Sequence, residues 1–154
     1  MTAYSETRLV PYSAERMFEV VADVEKYPQF LPWVVALRVT SRTQEENREI
    51  LIAEMAVGYH GLRERYTSRV VLDRGRRAID VVKIEGPFQK LENHWRFTPN
   101  GEGAQVEFSI AFEFSSRLLQ AAAGRAFEKV LLSMSRAFEA RAKALSEARG
   151  PSQS

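Results

Sequence analysis

Residues 104–115, AQVEFSIAFEFS, and the run that follows at 116–146, SRLLQAAAGRAFEKVLLSMSRAFEARAKALS, decide how this chain folds. In the first, Val106, Phe108, Ile110, Phe112 and Phe114 alternate with Gln105, Glu107, Ser109, Ala111 and Glu113. Successive side chains of a strand point to opposite faces, so this segment is a strand with one aromatic, buried face and one wet face. In the second run the period lengthens. Leu119, Ala123, Phe127, Val130, Met134, Ala137, Phe138 and Leu145 fall on one helical stripe, with Arg125, Lys129, Arg136 and Lys143 on another side. At ~1.5 Å of rise per residue that helix is roughly 45 Å long, enough to cross a whole sheet.

Upstream, the period of two continues through predicted strands at 33–43, 48–57, 61–72, 77–84 and 89–98, with another at 4–10. The breaks carry turn chemistry: Glu45-Glu46-Asn47, Gly58, Asp73-Arg74-Gly75, Gly86-Pro87 and Pro99-Asn100-Gly101. Such short connections imply an antiparallel meander. Between the first strand and the rest, Pro11 ends the strand and Ser13 is a helix N-cap, with Met17, Phe18, Val20 and Val21 as the apolar face of a short helix to about Ala22. The next segment, 23–33, holds two prolines, which forbid a long helix and push the residues before them toward extended geometry. Its Tyr27, Phe30, Leu31 and Trp33 are too apolar for a free loop. The expected class is therefore α+β: a curved antiparallel sheet of about seven strands wrapped around a long C-terminal helix. One domain over 1–148 and a flexible polar tail at 149–154 are expected.

The 154 residues, 45% hydrophobic and 27% charged, suffice for one core and argue against disorder. A net charge of +2 does not announce nucleic acid. The absence of cysteine removes disulfides, thiolate nucleophiles and zinc–thiolate sites. His60 and His94 stand apart, without the close spacing of a metal site, and neither has a nucleophile or carboxylate partner evident in sequence. No catalytic or metal-binding residue is assigned. No apolar run approaches the ~20 residues of a bilayer span. The N-terminus shows no signal or presequence.

Asp23-Val24-Glu25-Lys26-Tyr27-Pro28-Gln29-Phe30-Leu31-Pro32-Trp33, Gly86-Pro87-Phe88 with Leu91, and Trp95-Arg96-Phe97 before the aromatic last strand carry a likeness over residues 4–145. In that order they resemble the helix-grip, START-like superfamily of polyketide cyclases and lipid-transport proteins. Within it, the chain is most similar to the coenzyme Q-binding protein family, which also includes bacterial ribosome-association toxin proteins. Trp33 departs from the cysteine of many members. The mitochondrial presequence of eukaryotic members is missing as well, which suggests a bacterial, cytoplasmic protein, with peripheral contact at the inner membrane left open.

The resemblance implies a hydrophobic cavity for a polyprenyl quinone such as ubiquinone, or another greasy small molecule, without catalysis and in support of respiratory electron transport. It implies ligand contacts at Tyr27, Phe30, Trp33, Trp95, Phe97, Phe108, Phe112, Phe127, Leu131 and Met134. Spacing alone reads the same aromatics as ordinary core, although Ala122, Ala123 and Ala126 opposite them would leave volume unfilled. Glu54 and Glu64 stay open between an inward carboxylate and an outward one. Arg63, Arg65 and Arg69 share a strand face that reads as a solvated surface or as a contact for ribosomal RNA phosphates. A ribosome-associated translation inhibitor and a polyketide cyclase-type enzyme are the alternative functions.

Overall fold

The computed structural model describes residues 2–59 and 62–149. Seven strands form one antiparallel sheet: β1 (Thr2–Val10), β2 (Val34–Glu45), β3 (Arg48–Tyr59), β4 (Leu62–Asp73), β5 (Ala78–Glu85), β6 (Phe88–Asn100) and β7 (Gly103–Phe114). Helix α1 (Ala14–Ala22) and a 3-10 turn (Val24–Gln29) lie between β1 and β2, and helix α2 (Arg117–Arg149) follows β7. This is the expected α+β helix-grip architecture. His60 and residues 150–154 of the tail lie outside the described residues.

The meander runs only from β2 to β7. The order is β1-β7-β6-β5-β4-β3-β2, so β1 and β2 are opposite edges and β1 pairs with β7, with Ser5 opposite Ser109. Residues 11–33 carry the chain from one edge to the other, closing one end of the curved sheet. Helix α1 begins at Ser13, whose hydroxyl accepts from the Arg16 N–H at 3.1 Å, and its Met17, Phe18, Val20 and Val21 are buried.

Segment 23–33 departs from the extended expectation. Tyr27, although it precedes a proline, lies within the 3-10 turn. Pro28 is the fifth of that turn's six residues, so the turn forgoes the one internal hydrogen bond that a proline cannot donate. The turn ends with the Phe30 and Leu31 N–H groups donating to the Tyr27 carbonyl at 3.2 and 2.9 Å. Inside, the Tyr27 hydroxyl donates to the Val21 carbonyl, and its ring meets Phe138 edge-on at 5.2 Å.

The core lies between the concave face of the sheet and α2. Phe138 is 1% exposed and touches Tyr27, Phe30 and Trp95 with centroid distances of 5.2, 5.4 and 5.2 Å. Glu54 is not inward. It lies on the outer face with Ile50 and Ile52, while Leu51, Ala53 and Met55 point in, and it pairs with Arg38 at 2.6 Å. Glu64 is half-buried in the phase of Tyr66. Of the three alanines expected opposite the aromatics, Ala123 is buried, Ala126 is half-buried and Ala122 faces out.

Candidate functional site

Toward the β2–β4 side the sheet and α2 diverge and leave an apolar cavity of about 100 Å³. Its sheet wall includes Leu37 of β2, Ala53 and Met55 of β3, Tyr66, Ser68 and Val70 of β4, and Trp95 of β6. Its roof is one stripe of α2: Phe127, Val130, Leu131, Met134 and Phe138. Tyr27, Leu31 and Trp33 close the end, held by the 3-10 turn and by the Gly58 N–H donating to the Trp33 carbonyl at 2.9 Å.

Six of the residues expected at a ligand come together there: Tyr27, Trp33, Trp95, Phe127, Leu131 and Met134. The other four do not line it. Phe97 packs edge-on against Phe18 of α1 at 5.9 Å, and Phe108 packs on Trp95 at 4.7 Å and Tyr4 at 6.2 Å. Phe112 is fully buried behind Phe127, 4.5 Å away. Phe30 faces the other way, under the Arg141 guanidinium at 5.0 Å, into an open groove of about 680 Å³. Several of the charges that wall that groove are paired with one another, Arg42 with Glu25 and Glu49 and Arg74 with Glu19.

A search for aromatics overlooks the polar members of the cavity. The Tyr66 hydroxyl donates to the Met55 sulfur at 3.1 Å, and burial pushes its pKa up to about 12. Ser68 is a buried hydroxyl on the wall. Asn93 donates through Nδ2 to the Ser109 carbonyl at 2.9 Å and accepts at Oδ1 from the Trp95 indole N–H at 3.1 Å. Their signal was visible as Tyr66, Ser68 and Val70 at alternate positions, one phase of β4 carrying two hydroxyls. Tyr66 is placed by Gly86, which has φ +142°; a Cβ there would stand 2.5 Å from the Tyr66 Cβ. The Gly86-Pro87-Phe88 motif thus has a packing reason, and Phe88 completes it by meeting Tyr66 edge-on at 5.5 Å.

His94 does have a carboxylate partner, contrary to the sequence reading. Register brings Asp80 opposite it on β5, with Nδ1 and Oδ1 2.6 Å apart, and Arg96 joins the same carboxylate at 2.9 Å. Burial works to raise the Asp80 pKa, but His94 and Arg96 outweigh it and hold the carboxyl below the usual range. This group lies on the outer face of the sheet, away from the cavity. Among the described residues no three or more His, Asp or Glu side chains gather as a metal site.

Residues 10–139 match the family model described as polyketide cyclase / dehydrase and lipid transport. The chain belongs to that family. The ribosome association toxin RatA of Rickettsia prowazekii is 38% identical over 146 residues, 93% of this chain and 97% of the relative. The mitochondrial coenzyme Q-binding protein COQ10 homolog B of Xenopus laevis is 34% identical over 143 residues, 90% of this chain and 57% of that longer protein. A START superfamily protein from Mycobacterium smegmatis superposes with a TM-score of 0.78 at 20% identity, covering 93% of this chain and 98% of that one, a likeness of fold alone. Family membership accounts for the motif order, and the name covers enzymes as well as carriers. Among the described residues of this member, no helix is long and apolar enough to cross a membrane.

Proposed function

We propose that this chain binds and chaperones a polyprenyl quinone in the cavity under α2, without transforming it, in support of respiratory electron transport. The observation that carries this reading is an enclosed, aromatic-walled space with only a few polar groups, the usual constitution of a small-molecule site. The likeness to a coenzyme Q-binding protein supports it. Each methylene withheld from water is worth ~0.8 kcal/mol, so a prenyl chain crossing an aqueous phase needs a shelter.

At about 100 Å³ the cavity is smaller than the ~150 Å³ space that admits benzene, so a substituted ring enters only if the roof lifts. The polar ties of helix α2 are gathered at one end, which makes the other the end to lift in this reading. Its C-terminal half is tied to the body: Ser135 to Glu6, Glu139 to Arg8, Ser146 to Arg16. Among the described residues, no side-chain hydrogen bond or ion pair ties its first four turns to the sheet; Ala123 and Phe127 hold there by apolar contact, and Leu118 and Leu132 are exposed. With a radius of gyration of roughly 15 Å, the domain has no room for a long tail laid straight, which must fold or protrude.

The test is organic extraction of the protein purified from several quinone-rich hosts, followed by mass spectrometry. Quinone in stoichiometric yield supports the reading; its absence from every host overturns it.

A second reading draws on one further observation. Arg63, Arg65 and Arg69 project from the outer face of β4 and have no acidic partner within 4 Å among the described residues. Together with the likeness to RatA, they make a candidate contact for ribosomal RNA phosphates. Sucrose-gradient profiles after overexpression decide it: a change in subunit association that the triple Arg→Glu variant abolishes supports ribosome contact, and an unchanged profile dismisses it.

A further inference from the structure

The wall of the cavity is short of hydrogen-bond acceptors and has donors to spare. None of its lining side chains is a carboxylate. Its single amide, Asn93, already has its oxygen engaged by the Trp95 indole, and the strand carbonyls behind it belong to the ladders. Tyr66, in contrast, spends its proton on the Met55 thioether, a weak acceptor. Ser68, 4% exposed, places its side chain on the same wall of the cavity. A buried phenol whose proton goes to sulfur is left short of a proper acceptor.

The two hydroxyls are consecutive inward positions of β4, about 7 Å apart along the strand. Met55 stands opposite Tyr66 and Ala53 opposite Ser68, and the alanine's lone methyl leaves the space before the serine open. We infer that Tyr66 and Ser68 form a donor pair that reads the acceptor oxygens of a bound ring, so that the cavity prefers the oxidised quinone to its quinol. This rests on the quinone reading above and specifies the redox form of the cargo.

Quinone carbonyls only accept. An entering ring lets Tyr66 exchange sulfur for a carbonyl oxygen and offers a further acceptor to Ser68. A quinol brings O–H donors of its own, and the wall offers them a phenol oxygen, a serine oxygen and sulfur, with no carboxylate or free carbonyl. Because burial pushes the Tyr66 pKa up to about 12, the phenol keeps its proton across the physiological range and remains a donor.

The experiment is equilibrium dialysis of the full chain against a benzoquinone carrying a two-isoprene tail, oxidised or reduced under anaerobic dithionite. The oxidised form should bind about tenfold tighter, the yield of one or two improved hydrogen bonds. In Tyr66→Phe the ratio should shrink, and in Tyr66→Phe with Ser68→Ala it should fall to within about twofold of unity. Tyr66→Phe keeps the ring and decides the matter if the double variant does not fold. Equal affinity of the two forms in the wild type, or a preference that survives Tyr66→Phe undiminished, overturns the inference and leaves the quinone reading standing. Binding of neither form overturns both.

Discussion

Ser135 of α2 donates a 2.6 Å hydrogen bond to the Glu6 carboxylate of β1, joining the last helix to the first strand. Tyr4 donates to the same carboxylate at 3.1 Å and Arg8 stands 3.5 Å from it. Burial acts to raise the Glu6 pKa, but the hydrogen bonds from Ser135 and Tyr4 and the Arg8 charge prevail and hold it below its ordinary value of 4.5. A depressed carboxylate stabilises the fold above its unfolded pKa, and that stabilisation is lost as pH falls through the folded value. Glu6→Gln should therefore lower the urea midpoint at pH 7, and the gap from wild type should close as the pH drops below about 4.5. A gap independent of pH would refute the assignment.

Ala53 is buried against the cavity, and a larger side chain there has space to enter. Ala53→Leu should cost no more than ~1 kcal/mol, because its added atoms fill a void and displace no neighbours. Retained quinone should fall about tenfold or more, as expected when the space a ligand needs is occupied. Thermal melts and the extraction assay, run on the same preparation, separate the two effects.

Phe138 touches three aromatic side chains and is 1% exposed, so truncating it opens a large hole in the roof. Phe138→Ala should destabilise by ~3–5 kcal/mol in denaturant titrations. Leu118, 81% exposed on the same helix, provides the contrast: Leu118→Ala should stay within about 0.5 kcal/mol of wild type.

Gly86 combines φ +142° with a closed approach to Tyr66. Gly86→Ala should lose about 1–3 kcal/mol through backbone strain and shift the Tyr66 ring resonances in NMR spectra. At Gly101, where φ is +62° and nothing lies within 4 Å of an added Cβ, Gly101→Asn should be tolerated, since asparagine visits this left-handed region readily. Similar losses at both glycines would remove the special role of Gly86.

Much of the fold was legible because strands and helices announce themselves locally. Alternation from Val106 to Phe114 and the longer period from Leu119 to Leu145 depend on backbone geometry alone. Burial then follows for side chains on one face. Less local facts were hidden. The Asp80–His94 pair exists because β5 and β6 align in one register, and the pairing of β1 with β7 joins residues a hundred positions apart. The 3-10 turn through Pro28 reflects how Tyr27 is anchored to Val21 and Phe138, a contact that outweighs the local preference for extended backbone.

By itself, then, the order of residues determined the strands, the long helix, the apolar faces that meet and the motif set shared with the family. It could not separate Trp95 and Phe127, which line the cavity, from Phe97, Phe108 and Phe112, which do not, for all five lie on inward faces. Only the tertiary structure decided that. Periodicity specifies which way a side chain points, whereas the empty space in front of it depends on how far a curved sheet stands from the helix crossing it. Near β1 the latch through Glu6 and Arg8 draws the two together around packed rings; toward β2–β4 they part, and Tyr66 and Ser68 are left facing the gap.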